Sequence, residues 1–578
     1  MKKYVFDENF NFTKIQALTD SELYELSDEI KDFIIDKCSI YGGHLSSNLG
    51  VINLTLSLFR NFDFNRDKII FDIGHYTYTY KILTGRPLTK LRCSDGIDGF
   101  QRISESKYDF YDAGHSSTSL SAALGFAKVR DLENKDYHVV AFVGDGAVGN
   151  GLCFEAINNL IFNKTKLIIV LNDNEMSIMP TTGGISAILK GIRKNPFVSV
   201  KFKDANFEYI GPINGDDFKA LHSAFTKAKK SKRSVIVHVK TLKGEGYKYA
   251  EEDKSGEFHF VHPFDKESGK SNVKNDENKV SFSKLFSEFV DEELEINKKA
   301  LAICPSTTVG GCLTKVFEKY PDRCFDLGIS EEHSAVFSSA LSLNGYHPYL
   351  FMYSTFLQRA YDEIIHDIAR IGKGVTMLID RSGLTGSDGE THQGIYDDGF
   401  FYSIPGVVVA MPKDKNDAKQ LFDIAKKYDK PMAIRFLPTY IDKNLNNNKE
   451  VEFGKWYKVK EGNNKNVVVS VGPHLDDLAI ALANEDCTIL NAIFMKEYDL
   501  KEIENLLNYE KVFIYDPYGV ETGFVSNVVL NLEKLNYKGQ IFTKAIKLNY
   551  VQKGTIAEQE KICGVDVEGF VEYYLKNK

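Results

Sequence analysis

HVVAFV (138–143), GDGAVG (144–149) and KLIIVLNDN (166–174) decide how this chain folds. The first and third stretches are short β-branched runs, the composition of strands buried on both faces. Between them AVGNGLCFEAINNLIF (147–162) carries the longer spacing of a helix. Strand, helix, strand in this order is a βαβ unit, whose two strands run parallel and end at the same edge of the sheet. Asp145, just past the first strand, and Asn174, just past the second, are therefore predicted to be neighbours in space although 29 positions apart.

The same alternation extends in both directions. SVIVHVK (234–240) reads as another buried parallel strand. A polar stretch, FDKESGKSNVKNDENKV (264–280), reads as a linker. RCFDLGI, YHPYLFMY, GVTMLID, GVVVAMP and PMAIRF form a second series. DKNLNNNKE (442–450) marks another break, after which NVVVSVG, CTILNAIF and KVFIYD begin a third. The expected architecture is α/β, with three domains of mostly parallel, doubly wound sheets over residues 1–275, 280–442 and 450–578.

With 43% hydrophobic and 26% charged residues among 578, the chain is neither disordered nor fibrous. Its net charge of −8 argues against nucleic acid as the main partner. No apolar run approaches the ~18 residues of a membrane span, and Asp7 and Glu8 interrupt any leader-like segment. The eight cysteines lack a C-x-x-C pair and read as reduced thiols of a cytoplasmic protein.

Gly144 to Gly149 satisfies G-x-G-x-x-G after a strand, the pattern of a dinucleotide site. That site needs an acidic residue ~20 positions on for the ribose, and residues 160–171 contain none. Asp145 would also set a carboxylate against the pyrophosphate. A divalent cation resolves the conflict. A carboxylate and an amide oxygen suit octahedral Mg²⁺, which retains phosphate oxygens as further ligands. Gly146 lets the backbone approach a diphosphate, and the following helix offers its N-terminus. A P-loop is excluded because SGKS (268–271) has Phe264 where the motif needs glycine.

GDG and NDN at this spacing, with LNDNEMSI, GHSSTSLSAALG, KILTGR, YSTFLQRAYDEIIHD and DRSG…GSDGETHQG, resemble the 1-deoxy-D-xylulose-5-phosphate synthases of the thiamine-diphosphate-dependent transketolase superfamily. The resemblance runs from about residue 30 to 440 and weakens beyond 450. It implies thiamine diphosphate and Mg²⁺ as cofactors, with the metal held by Asp145, Asn174 and the Met176 carbonyl. Diphosphate contacts are implied at His75, Gly114, His115, Ser116, Gly146 and Ala147, and a further cofactor contact at Tyr247. Tyr76 and Tyr80 depart from the family pattern, which has Gln and His there. Glu331 matches the acid that activates the aminopyrimidine, and Phe356 the ring that stacks on it. His44, His115, His392 and Asp388 match the proton-transfer groups, for which an imidazole's near-neutral pKa is suited. His259 is less well matched.

The implied reaction condenses pyruvate with the phosphorylated aldehyde D-glyceraldehyde 3-phosphate, releasing CO₂, in a homodimer. A related transferase with another aldehyde acceptor or a ketol donor is the alternative. Tyr353 and Arg381 match acceptor-binding positions, with Asp388 and His392 beside them. A second phosphate-binding arginine is expected in an Arg-Tyr-Pro-Arg-Gly segment, but this chain reads Arg435-Phe436-Leu437-Pro438-Thr439. Proline offers neither charge nor donor, so Lys413 or Lys496 becomes the candidate replacement.

Overall fold

The computed structural model describes residues 3–194, 207–273, 276–443, 449–462 and 465–578. The strands are β1 (Lys68–Phe71), β2 (Val139–Gly144), β3 (Ile168–Asp173), β4 (Phe207–Asn214), β5 (Ser234–Lys240), β6 (Lys279–Ser281), β7 (Ala300–Cys304), β8 (Cys324–Asp326), β9 (His347–Tyr353) and β10 (Thr376–Asp380). They continue with β11 (Val408–Ala410), β12 (Met432–Arg435), β13 (Tyr440–Asp442), β14 (Tyr457–Lys460), β15 (Asn466–Ser470), β16 (Cys487–Asn491), β17 (Phe494–Lys496), β18 (Lys511–Val520) and β19 (Gln540–Ile546). The chain divides into two units, Met1–Lys274 with Gly328–Ser330, and Asn275–Leu327 with Glu331–Lys578.

The first unit is built on one sheet of order β1-β2-β3-β5-β4, parallel throughout. β3 is buried along its whole length, as its unbroken apolar run predicts. The register pairs Gly144 with Asn172, so the Gly-Asp-Gly and Asn-Asp-Asn turns leave the sheet side by side. The expected helix between β2 and β3 is split into a turn at Asp145–Val148 and a helix at Gly151–Asn163. Asn150 makes the break: its side chain caps the second helix by accepting from Leu152 N.

The second unit holds two sheets. One has the order β17-β11-β12-β10-β9-β7-β8 and is parallel except for β17, which runs antiparallel to β11. The other has the order β14-β16-β15-β18-β19, with β14 antiparallel at its edge. One apolar core includes Met377 and Ile379 of β10 together with Val467 and Val469 of β15 and Phe524. The expected linker departs from the prediction at both ends. Phe264 is buried in the core of the first unit, Asp265 accepts from Ser268, and β6 pairs with β13. A single well-placed aromatic residue anchors a stretch whose average composition is polar.

Candidate functional site

In the first unit Asp145 starts the turn after β2 and is 7% exposed. Its Oδ1 accepts from Gly146 N at 3.1 Å, while Oδ2 is buried without a hydrogen-bond partner. Burial and the neighbouring charge of Asp173 push its carboxyl well above the ordinary range. A β-carbon on Gly146 would stand 3.2 Å from Ser177 Cβ and 3.6 Å from Thr181 Cγ2. The turn after β2 therefore lies against the segment after β3, where the Asn174 side chain accepts from Met176 N at 3.0 Å.

The central aspartate of the Asn-Asp-Asn turn does different work. Asp173 accepts from Arg193 Nε at 2.6 Å and faces His238 Nε2 at 2.7 Å. These hydrogen bonds overcome its burial and hold its carboxyl well below the usual range. Asp173 is thus neutralised by protein groups, whereas Asp145 keeps one orphaned buried oxygen. Such an oxygen calls for a cation or a proton. Among the described residues no group of three or more His, Cys, Asp or Glu is placed to hold a metal. One carboxylate with amide and carbonyl oxygens is instead the hard donor set of Mg²⁺ sharing a phosphate ligand, so Asp145, Asn174 and Met176 fit that ion.

Three histidines gather in the same unit. The His44 and His75 ring centroids are 5.0 Å apart, and His259 lies 5.5 Å from His44 and 5.3 Å from His75. The Asn48 amide ties this group together by donating to the carbonyls of His44 (2.6 Å) and His75 (2.8 Å). A backbone bridge between Gly43 and Val261 brings the His259 segment alongside. Burial, with Lys243 and His75 nearby, keeps His259 neutral, well below its ordinary pKa. Lys243 itself is lowered to about 8 by burial, although Asp253 and Asp145 pull it upward. The tyrosines at 76 and 80 are core residues, their hydroxyls donating to the carbonyls of Phe142 and Tyr108.

The turn at Gly114, His115 and Ser116 is fixed by a residue the sequence reading passed over. Asp72, fully buried after β1, accepts from Ser117 N at 2.7 Å and from Ser119 N at 3.1 Å. Ser117 in turn donates to the Ala147 carbonyl at 3.0 Å, joining this turn to the one at Asp145. A buried aspartate at the end of a strand is the signal that identifies Asp72. Tyr247 precedes the short helix Lys248–Glu251. Its ring packs against Tyr249, Phe258 and Phe264, and its hydroxyl donates to the Lys266 carbonyl at 2.9 Å. KILTGR forms part of the scaffold. Arg86 makes a forked pair with Asp109 at 2.6 and 3.0 Å, and buried Lys81 pairs with Glu105.

In the second unit Glu331 opens the helix Glu331–Leu343 and is 3% exposed. Its Oε2 has no hydrogen-bond partner. Burial raises its pKa to about 7, against the pull of Arg359, so the carboxyl is poised to hold or release a proton near neutrality. Phe356 stacks on Tyr353 with centroids 5.7 Å apart and meets the His392 ring edge-on at 5.7 Å. The Arg381 guanidinium lies over the Tyr353 ring at 3.9 Å and donates to Asp380 at 2.6 Å. Asp388 and His392 flank the short turn Gly389–Thr391, where Thr391 donates to the Asp388 carbonyl and lies 2.8 Å from His392 Nδ1. Tyr353, Phe356, Arg381 and His392 thus form one connected group.

The proposed substitutes for the missing arginine are otherwise engaged. Lys413 Nζ is held by Asp414 (2.7 Å) and Asp476 (2.9 Å). Lys496 Nζ donates to the carbonyls of Ile404 and Val407. Both are buried in the fold, which corrects the expectation that either would serve as a phosphate clamp.

Comparison with known proteins finds relatives over nearly the whole chain. The family model described as 1-deoxy-D-xylulose-5-phosphate synthase matches residues 7–201 and 196–241. The transketolase pyrimidine-binding domain matches residues 278–438. The chain is 37% identical to 1-deoxy-D-xylulose-5-phosphate synthase of Clostridium acetobutylicum, covering 98% of both chains. It is 38% identical to that of Clostridium beijerinckii, over 98% of this chain and 99% of the other. For the Geobacillus thermodenitrificans enzyme the identity is 36% over 94% of each.

Proposed function

This chain belongs to the 1-deoxy-D-xylulose-5-phosphate synthase family, and on that premise we propose that it condenses pyruvate with D-glyceraldehyde 3-phosphate, releasing CO₂ and forming 1-deoxy-D-xylulose 5-phosphate. The enzyme is a transferase of two-carbon units that feeds isoprenoid, thiamine and pyridoxal synthesis. Its cofactors are thiamine diphosphate and Mg²⁺. When bound, thiamine diphosphate would supply the carbon nucleophile of the reaction.

The chain's own groups divide the remaining work. Asp145, Asn174 and the Met176 carbonyl hold the cation. Gly146, Ala147, His75 and the turn at Gly114, His115 and Ser116 bind the diphosphate. Glu331 sets the proton on the aminopyrimidine, and Phe356 stacks on that ring. His44, His115 and His392, with Asp388, move protons to and from substrate oxygens, while Tyr353 and Arg381 orient the acceptor. Tyr247 makes a further cofactor contact from the loop Gly244–Tyr247, which the Gly244 N bond to the Ser46 carbonyl fixes.

The observation that carries this reading is the orphaned Oδ2 of Asp145, buried beside a second aspartate that is already paired with Arg193 and His238. Removing the Asp145 carboxylate takes away the ligand that would anchor Mg²⁺, the counter-ion of the diphosphate. Asp145→Ala is therefore expected to lower thiamine diphosphate affinity by at least tenfold in calorimetric titration with Mg²⁺, the scale of ~1.4 kcal/mol or more. Undiminished affinity would remove the metal assignment.

The three-domain division at 1–275, 280–442 and 450–578 belongs to this proposal, and each domain contributes the greater part of one sheet. A homodimer is also part of it. We place the enzyme in the cytoplasm, in keeping with cysteines that read as reduced thiols. Among the described residues no helix is long and apolar enough to cross a membrane.

A further inference from the structure

The loop between β10 and the helix Asp397–Tyr402 carries Asp388 and His392 and is closed at its base. Gly383 and Gly394 exchange backbone hydrogen bonds of 2.7 and 2.8 Å. Beyond that base, the loop is held from the C-terminal part of the chain. Gln559, on the helix Ile556–Cys563, is 1% exposed. Its Oε1 accepts from Gly386 N at 2.9 Å, and its Nε2 donates to Gly386 O at 2.9 Å. The same Nε2 donates to Gln552 O at 2.7 Å. Only this orientation of the amide makes both bonds to Gly386, because a flip would set donor against donor and acceptor against acceptor.

The surrounding contacts enforce the arrangement. A β-carbon on Gly389 would meet Lys553 N at 2.9 Å, and one on Gly386 would meet Gly554 O at 3.4 Å. Both glycines have positive φ, 63° and 86°, so close approach and backbone conformation each restrict these positions. Gln393, on the return arm, accepts from Thr385 N at 2.8 Å, and Thr385 donates to the His392 carbonyl at 2.9 Å. A capping box of Thr555 and Glu558 fixes the first turn of the helix that presents Gln559.

We propose that Gln559 is a positioning residue, clamping Gly386 so that Asp388 and His392 are held at the acceptor; this rests on the reading of those two residues as substrate groups. A side chain that touches no reacting atom acts here through the loop it fixes. Displacement of such a loop by ~1 Å is enough to cost on the order of a hundredfold in rate.

The test uses the full-length enzyme loaded with thiamine diphosphate and Mg²⁺, with variants Gln559→Leu, Gln559→Glu and His392→Ala. Gln559→Leu removes both bonds to Gly386. Gln559→Glu keeps the acceptor but has no N–H for the Gly386 carbonyl. The expected result is a fall of roughly ten- to a hundredfold in kcat/KM for the aldehyde acceptor in Gln559→Leu, with a smaller fall in Gln559→Glu. Cofactor affinity stays within about twofold. Amide hydrogen exchange over residues 386–393 accelerates, while the rest of the chain keeps its wild-type protection. If Gln559→Leu does not fold, Gln559→Glu decides by the same readouts. Wild-type kcat/KM in the folded variants overturns the proposal. So does a loss of activity that follows a lowered Tm with loop exchange unchanged, because that is the signature of general destabilisation. Undiminished turnover in His392→Ala instead removes the substrate reading of the loop, independently of how Gln559 behaves.

Discussion

Pro438 carries the sharpest residue-scale consequence. Arg381 remains to meet an acceptor phosphate, stacked on Tyr353 and tethered to Asp380. The second arginine of the family pattern is absent, and neither Lys413 nor Lys496 replaces it, since their ammonium groups are bound to Asp414 and Asp476 and to two backbone carbonyls. A charge-assisted hydrogen bond contributes ~1.5–3 kcal/mol, or roughly ten- to a hundredfold in binding. Pro438→Arg is therefore expected to lower the KM for glyceraldehyde 3-phosphate by about that factor, with kcat little changed and the KM for pyruvate unaffected. Steady-state kinetics with each substrate varied checks this. An acceptor KM that does not move means that another cation already holds the phosphate. The departure at Pro438 was legible in the sequence. The engagement of both lysines was not, because it depends on Asp476 and on carbonyls of Ile404 and Val407, which no local pattern connects to them.

At the scale of elements, strand ends were the most readable feature. β5 coincides with SVIVHVK, and β2 and β3 fall on the two runs that bracket the Gly-Asp-Gly turn. The edge strand β14 (Tyr-Lys-Val-Lys) lacks an unbroken apolar run and carries no such signal. Asp72 and the pairing of Asp173 escaped for a related reason: each depends on a partner distant in sequence. The start of the helix at Glu331 supports a prediction of its own. A carboxyl whose pKa is raised from 4.5 to about 7 in the folded chain is protonated in both folded and unfolded chains below pH 4.5 and costs nothing there. Between pH 4.5 and 7 the unfolded chain ionises while the folded chain does not, so stability falls as pH rises. Above pH 7 the penalty is complete, at roughly 2–4 kcal/mol. Cofactor-free Glu331→Gln is expected to melt above wild type at pH 8 and together with it near pH 4. The same variant should retain cofactor binding yet slow exchange of the cofactor's C2 proton, read by deuterium incorporation. Wild-type exchange would show that Glu331 is not the activating acid.

For the whole molecule, assembly and chemistry each have their own test. A homodimer predicts a sedimenting mass near twice 65.3 kDa at micromolar concentration. A monomer of full activity contradicts that part of the proposal. The C-terminal part of the chain, unassigned from sequence, acquires a role through Gln559 and its hold on the Asp388 loop. The central claim is the reaction itself, and ¹³C NMR of purified enzyme with thiamine diphosphate, Mg²⁺, uniformly labelled pyruvate and D-glyceraldehyde 3-phosphate tests it most directly. The predicted result is labelled CO₂ in equal amount with 1-deoxy-D-xylulose 5-phosphate carrying the pyruvate label in C1 and C2, both abolished in Asp145→Ala. Release of CO₂ with no five-carbon sugar phosphate, or transfer only from a ketol donor, would contradict the account.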